Sequence, residues 1–151
     1  MRTLLIVFHT GGVKTAQMAE AVASGARTEG GINVILKRCA DAGPEDLLAA
    51  DGLILGTPEN FGYMSGMMKD FLERVFYACE GRVNGRPWAL FVSAGQDGSG
   101  AVNSLERIVT GLRLEKRAEP IVALKEVTPE VLARCEELGA AFAAGLALGV
   151  F

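Results

Sequence analysis

The sequence is short of the residues that most often bind metals or cross-link secreted domains. Its 151 residues include one histidine and three cysteines, and no two cysteines form a Cys-x-x-Cys pair. The odd number and wide spacing of Cys39, Cys79 and Cys135 predict neither a disulfide framework nor a zinc site. We therefore expect a reducing, cytoplasmic compartment and no bound metal.

Positive charge is not in excess either. The chain carries 15 Lys and Arg residues against 18 Asp and Glu residues, which gives a formal net charge of -3. Binding to a nucleic acid duplex requires a basic footprint, so we expect no nucleic acid partner. The charge is also much smaller than that of strongly acidic electron carriers, which use it to steer their partners.

Long hydrophobic runs are missing as well. Residues 4–8 form an apolar run that is too short for a signal-peptide core, and no small-residue cleavage site follows it. Residues 139–151 are apolar and rich in alanine, but a membrane span needs about 18 residues or more. We expect no membrane-spanning segment, and we interpret the second run as the packed end of a terminal helix.

Three phosphate-binding and phosphoryl-transfer motifs are absent. A Walker A loop needs glycines where this chain has Phe8 and Val13, and the spacing of a dinucleotide-binding G-x-G-x-x-G loop does not occur around Gly11. A cysteine phosphatase needs an arginine six residues after its cysteine, where this chain has glutamate, glycine and alanine. The sequence therefore gives no support to an ATPase, a GTPase or a phosphatase.

What is present is an alternation of short apolar runs with amphipathic stretches, in a chain that is 50% hydrophobic. This pattern is typical of parallel strands joined by helices. The predicted strands are residues 4–8, 32–36, 53–55, 88–93 and 121–124, the third of them stopping at 56–58. Predicted helices begin near Thr15, after Pro44, after a capping Ser65, after the glycine-rich residues 94–100, and after a capping Thr128.

Five strands alternating with helices predict an α/β fold in which a parallel, doubly wound five-stranded sheet is the middle of three layers. The expected strand order is 2-1-3-4-5, with residues 1–151 forming a single domain. In such sheets ligands bind beyond the carboxyl ends of the strands, where the winding direction switches between strands one and three. Three loops lie there: residues 9–15, 57–65 and 94–100.

The first two loops differ in the chemistry that they offer. Residues 9–15 join a buried strand to a helix N-terminus, which favours an anion such as phosphate, with Thr10, Lys14 and Thr15 as side-chain partners. An ordinary turn with a capping threonine is the alternative. Residues 56–66 place Phe61 and Tyr63 among glycines, an arrangement that suits a flat conjugated ring. Aromatics that pack the loop onto its own domain are the alternative there.

A resemblance to a known family is carried by this second loop. The run Gly-Thr-Pro at 56–58, Phe-Gly at 61–62, Met-Ser-Gly at 64–66 and Phe-Leu-Glu-Arg at 71–74 resembles the flavin loop of flavodoxin-like oxidoreductases. The similarity is greatest to NAD(P)H:quinone oxidoreductases of the tryptophan-repressor-binding-protein type, and it extends over the chain in element order. The resemblance implies a flavodoxin-like fold and an FMN held without a covalent bond by three segments. Their residues are Thr10, Gly11, Gly12, Val13, Lys14 and Thr15; Thr57, Pro58, Glu59, Asn60, Phe61 and Gly62; and Ser93, Ala94, Gly95, Gln96, Asp97 and Gly98.

The first segment departs from the family pattern, which resembles S-x-T-G-N-T. Val13 stands where the family has glycine, and a β-branched residue is expected to be strained there if the backbone takes a positive φ. Weak FMN binding, or a flavin-free binding domain, is therefore left open.

The resemblance implies that NAD(P)H reduces the flavin and that a quinone, a flavin or a similar acceptor reoxidises it. No side chain is assigned a catalytic role, because the cofactor carries the chemistry. The alternative is a flavodoxin-type electron-transfer protein that docks to protein redox partners. Self-association into a homo-oligomer is left open.

Overall fold

The structure is a computed structural model that describes residues 1–151. The chain forms seven strands and five α-helices, with one short 3-10 helix at Cys39–Asp41. In chain order they are β1 (Thr3–Phe8), α1 (Lys14–Arg27), β2 (Asn33–Arg38), α2 (Pro44–Ala49), β3 (Gly52–Asn60), β4 (Tyr63–Met64), α3 (Gly66–Cys79), β5 (Pro87–Ala94), α4 (Ser99–Gly111), β6 (Glu115–Lys116), β7 (Ile121–Leu124) and α5 (Pro129–Leu148).

The sheet confirms the predicted strand order. β1 pairs in parallel with β2 on one side and with β3 on the other, β3 pairs with β5, and β7 lies on the outer side of β5. Counted along the predicted five strands, this is 2-1-3-4-5. The carboxyl ends of β1, β3 and β5 therefore lie side by side at one edge, where the three predicted loops begin.

Two apolar clusters cover the two faces of the sheet. Alternate residues of β1 explain why the run is continuously apolar: Leu5 and Val7 belong to a cluster of 24 buried residues, while Leu4, Ile6 and Phe8 belong to one of 19. The larger cluster lies under α2, α3 and α4, and the smaller one lies under α1 and α5. A strand that buries both faces needs apolar residues at every position.

The prediction that the third strand stops at residues 56–58 is wrong. β3 continues through Gly56, Thr57 and Pro58 to Asn60, and then folds back as an antiparallel pair with β4. Gly56 is needed for packing, because a Cβ there would lie 2.1 Å from the ring of Phe91. The sequence predicted a loop because Gly56 and Pro58 are residue types that are common in turns, but here both lie inside a strand.

Two short strands, β4 and β6, were also not predicted, because each has only two residues and no apolar alternation. The predicted helix caps are confirmed: Ser65 Oγ accepts from Met68 N, and Thr128 Oγ1 accepts from Val131 N. None of the helices combines the length and the apolar character that crossing a membrane requires.

Candidate functional site

Direct contacts join the three predicted loops at the carboxyl edge of the sheet. His9 N donates to Gly56 O at 3.1 Å, which ties the start of the first loop to β3. The hydroxyls of Thr15 and Ser93 share a buried hydrogen bond of 2.7 Å, which ties α1 to the end of β5. Lys14 Nζ donates to the carbonyl of Lys125, which follows β7.

The first loop offers a row of unpaired backbone donors. No protein acceptor is found for any backbone N–H from Thr10 to Ala16, and the first helical bond of α1 is Gln17 N to Val13 O, at 2.9 Å. α1 has no side-chain cap and no acidic residue in its first turn. A Cβ added at Gly11 or Gly12 would meet nothing within 4 Å, so open space lies beside these donors. This is the chemistry of an anion site at a helix N-terminus.

The expected strain at Val13 does not occur. Val13 has φ -117° and ψ -19°, and neither Gly11 nor Gly12 has a positive φ. The loop enters α1 without a left-handed residue, so it has no need of glycine at position 13. The side chain of Val13 is exposed, and its departure from the family pattern leaves the backbone donors in place.

The second predicted loop is the hairpin formed by β3 and β4. Phe61 and Gly62 form its two-residue turn, with φ of 54° and 69°, the left-handed values of a type I′ turn. The ring of Phe61 is fully exposed at the tip, and Tyr63 is 43% exposed beside it. No protein acceptor is found for the backbone N–H of Phe61 or Gly62. The tip therefore combines an uncovered aromatic ring with unpaired donors.

Two predicted cofactor-binding side chains of this hairpin are engaged by the protein itself. Thr57 is fully buried, its hydroxyl donating to Pro58 O and accepting from Ser65 N at 3.0 Å. Glu59 Oε2 accepts from Ala101 N at 3.1 Å, across the gap to α4. Pro58 is half-buried and Asn60 is exposed, which leaves them accessible at the edge of the site.

The third loop follows β5 and leads into α4. Gly95, Gln96 and Asp97 are exposed, and the backbone N–H groups of residues 95–98 have no protein acceptor. Asp97 accepts from both Ser99 N and Ser99 Oγ, and these hydrogen bonds lower the pKa of its carboxyl group. Gly98 has φ 77° and packs against Val122, a position that suits glycine. Ala94 O accepts from Lys125 N at 2.7 Å.

Lys125 and Glu126 are functional candidates that the sequence did not reveal. They line a cavity of about 320 Å³ with Lys14, Ser93 and Gly95, next to the contact between α1 and β5. The sequence missed Lys125 because the predicted loops follow strands one, three and four, whereas Lys125 follows the fifth predicted strand. Its φ of 66° is unusual, but no local sequence pattern indicates it.

A larger groove, of about 870 Å³, lies elsewhere, between α3 and α4. Of the two aromatic residues singled out in the second loop, Phe61 and Tyr63, only Tyr63 lines this groove. The groove is therefore separate from the place where the three loops meet.

Comparisons with known proteins agree with this geometry. The model of the family described as NADPH-dependent FMN reductase matches residues 40–128. A protein named flavodoxin from Aquifex aeolicus is 38% identical over 112 residues, and an NAD(P)H dehydrogenase (quinone) from Acidithiobacillus ferrooxidans is 34% identical over 133 residues. Each alignment covers 74% of this chain, which spans 60% of the first relative and 66% of the second. An archaeal flavodoxin structure superposes over 95% of this chain and 98% of its own, with a TM-score of 0.85 at 21% identity.

Proposed function

Because the chain belongs to the NADPH-dependent FMN reductase family, we propose that it is an FMN-dependent oxidoreductase that transfers electrons from NAD(P)H to a quinone, a flavin or a similar acceptor. FMN is the cofactor that this family indicates. Residues 1–151 act in it as one flavodoxin-like domain in a reducing, cytoplasmic setting. Three buried, unpaired cysteines support that setting.

The observation that carries the proposal is the row of unpaired N–H groups from Thr10 to Ala16. A phosphate monoester carries about -1.5 to -2 charges at pH 7 and accepts several hydrogen bonds. The N-terminus of α1 supplies donors and a positive dipole end, and no acidic residue of its first turn opposes the phosphate. Lys14 adds a positive charge beside Ser93 and Gly95.

The hairpin and the third loop fit the flat end of the same cofactor. The ring of Phe61 offers an apolar face, and the unpaired N–H groups of residues 61–62 and 95–98 can donate to the polar edges of an isoalloxazine. When bound, FMN supplies the ring that accepts and releases electrons. The donors of residues 10–16 would hold the phosphate and Phe61 would flank the ring. Reduction by NAD(P)H requires that the opposite face of the ring be accessible.

Electron transfer to a protein partner is the second candidate function. It is favoured by the relative from Aquifex aeolicus that is named flavodoxin. In that case the hairpin aromatics would cover the ring, and a separate reductase would be needed.

Anaerobic stopped-flow absorbance separates the two candidates. FMN is added to the purified protein, the bound flavin is separated from free flavin, and excess NADH or NADPH is mixed with it. Bleaching of the flavin band within seconds supports the oxidoreductase. No bleaching over many minutes, together with full bleaching by dithionite, supports the carrier instead. A titration in which millimolar FMN does not bind would contradict both.

A further inference from the structure

The hairpin that carries Phe61 is anchored to α4 through two side chains. Glu59 Oε2, from β3, accepts from Ala101 N at 3.1 Å, and Ser104 Oγ, from α4, accepts from Met64 N at 3.1 Å. Each strand of the hairpin therefore has its own hydrogen bond to the same helix. Residues 59 and 101 are 42 positions apart in the chain, so the contact is a tertiary one.

Glu59 provides the N-terminal capping acceptor that α4 itself lacks. The N-cap of α4 is Gly98, which has no side chain to accept from the helix, and the first turn contains no acidic residue. Asp97 accepts only from Ser99. The carboxylate of Glu59 supplies both an acceptor and a negative charge to this helix N-terminus.

The tip of the hairpin also packs closely on α4. A Cβ added at Gly100 would lie 1.9 Å from Gly62 O and 3.0 Å from Gly62 Cα. The turn of Phe61 and Gly62 thus rests on the helix backbone itself, at a distance that only glycine at position 100 permits. Any loosening of the anchor would move this turn away from α4.

We infer that Glu59 is a positioning residue: through its hydrogen bond to Ala101, assisted by Ser104, it fixes the Phe61–Gly62 turn at the ring side of the site. This inference rests on the proposed function. It replaces the role that the sequence suggested for Glu59, which was direct contact with the cofactor. The side chain of Glu59 faces the α4 N-terminus, and the exposed Phe61 is the hairpin side chain that would contact the ring.

Two substitutions at one position separate positioning from direct contact. Glu59→Ala removes the acceptor for Ala101 N, whereas Glu59→Gln keeps an acceptor oxygen and removes only the charge. The expected result for Glu59→Ala is about a tenfold loss of affinity for both FMN and riboflavin, because a turn that is correctly placed in only about a tenth of the free molecules binds about tenfold more weakly. The flavin affinity of Glu59→Gln is expected to stay within about threefold of wild type, because the amide oxygen still accepts a hydrogen bond from Ala101 N, although a weaker one than the carboxylate accepts. Affinities are measured from quenching of flavin fluorescence.

Two further readouts do not depend on activity. The visible circular dichroism of bound flavin reports the surroundings of the ring, and Glu59→Ala is expected to change it while Glu59→Gln does not. In the flavin-free protein, hydrogen exchange at the Met64 amide is expected to accelerate in Glu59→Ala.

Thr128→Ala is the matched control, since it removes an equivalent cap, the Val131 N to Thr128 Oγ1 bond, from α5. It is expected to lower the melting temperature and to leave flavin affinity and dichroism unchanged.

Each result has one meaning. If wild type binds no flavin, the proposed function fails. If wild type binds flavin but Glu59→Ala matches it in affinity, dichroism and Met64 exchange, Glu59 is only a helix cap and the inference fails. If Glu59→Gln loses as much affinity as Glu59→Ala while its dichroism and its Met64 exchange stay at the wild-type values, the charge acts on the cofactor directly, and the positioning role is overturned.

Discussion

At the scale of single residues, Phe61 is one of three non-glycine residues that have a positive φ. Its φ of 54° lies in the left-handed region, which costs an ordinary L-residue about 1–2 kcal/mol. Burial does not offset this cost, since the ring is fully exposed. Strain of this kind persists where the side chain has a role outside the packed protein. A ring platform for the flavin is such a role.

Phe61→Asn should therefore have opposite effects on stability and on cofactor binding. Asn-Gly is the preferred pair for a type I′ turn, so we expect the flavin-free protein to gain about 0.5–1 kcal/mol in free energy of unfolding. Loss of the ring should weaken FMN and riboflavin alike. Urea unfolding and fluorescence titration measure the two effects. Phe61→Leu is the control, since it keeps the strained backbone and removes only the aromatic character; equal flavin affinity in all three proteins would contradict the ring contact.

Lys14 should discriminate between FMN and riboflavin. Its ammonium group lies at the cavity beside Ser93, on the side of the first loop, where the phosphate is proposed. We expect Lys14→Ala to weaken FMN by about tenfold or more, which corresponds to roughly 1.5–3 kcal/mol for a charge-assisted contact. Riboflavin, which lacks the phosphate, should bind as before. Lys116→Ala, on β6, is the matched control, and equal losses for both ligands would remove Lys14 from the phosphate site.

The three cysteines should be present as free but unreactive thiols. All three are buried, and burial raises the pKa of Cys39 to about 12 and that of Cys135 to about 11; it raises the pKa of Cys79 as well. Because the thiolate is the reactive form, alkylation of the native protein near pH 8 should be slow. Mass spectrometry after alkylation in denaturant should count three modified cysteines. A disulfide found in protein from reducing cells would contradict this.

At the scale of elements, α1 and α5 approach each other through glycines. A Cβ at Gly25 would lie 2.0 Å from Glu136 O, and one at Gly139 would lie 1.9 Å from Val22 O. The two helices therefore touch backbone to backbone on the face opposite α3 and α4. Val22 and Gly25 lie in the C-terminal half of α1, so this contact fixes the end of the helix that is remote from its unpaired N-terminal donors.

One substitution made in two helices tests this contact. Gly139→Ala should destabilise the protein by about 1–3 kcal/mol, because overpacking outweighs the better helix propensity of alanine. Gly66→Ala, in the first turn of α3, meets nothing within 4 Å and should be neutral or stabilise by up to about 1 kcal/mol. Thermal or urea unfolding measures both variants. A stabilised Gly139→Ala would mean that the helices can separate freely.

Elements with strong local signals were predictable, and those made by distant contacts were not. β1 and β5 are marked by their own apolar runs, and Ser65 and Thr128 are residue types that commonly cap helices. Predicting these features needs no information from a distant part of the chain. The hairpin was hidden because Gly56 and Pro58 resemble a turn, whereas Gly56 makes room for Phe91. The three predicted loops meet at the carboxyl edge of the sheet, as expected. The orientation of Glu59 depends on Ala101, which no local pattern could indicate.

At the scale of the whole molecule, the site gathers loops from three strands, so cofactor binding and folding should be coupled. A ligand that binds only the folded state at 100 times its Kd adds about 2.7 kcal/mol to the free energy of unfolding. For a domain of this size we expect FMN to raise the melting temperature by about 5–10 °C. A thermal scan across FMN concentrations measures the shift, with flavin-free buffer and riboflavin as comparisons. A melting temperature independent of FMN would contradict a site built from these loops.

The outer edge of the sheet beyond β5 is divided between β6 and β7, and this division bears on how the chain avoids aggregation. A long unpaired strand edge is a template on which another chain can add a strand. Here the edge is two residues of β6 and four of β7, separated by a segment that ends in Pro120 and carries Arg117 and Glu119. Proline removes a donor, and the charges make a second chain costly to dock. Before a newly made molecule binds its cofactor, this edge of its sheet is therefore a poor template for adding a strand from another chain.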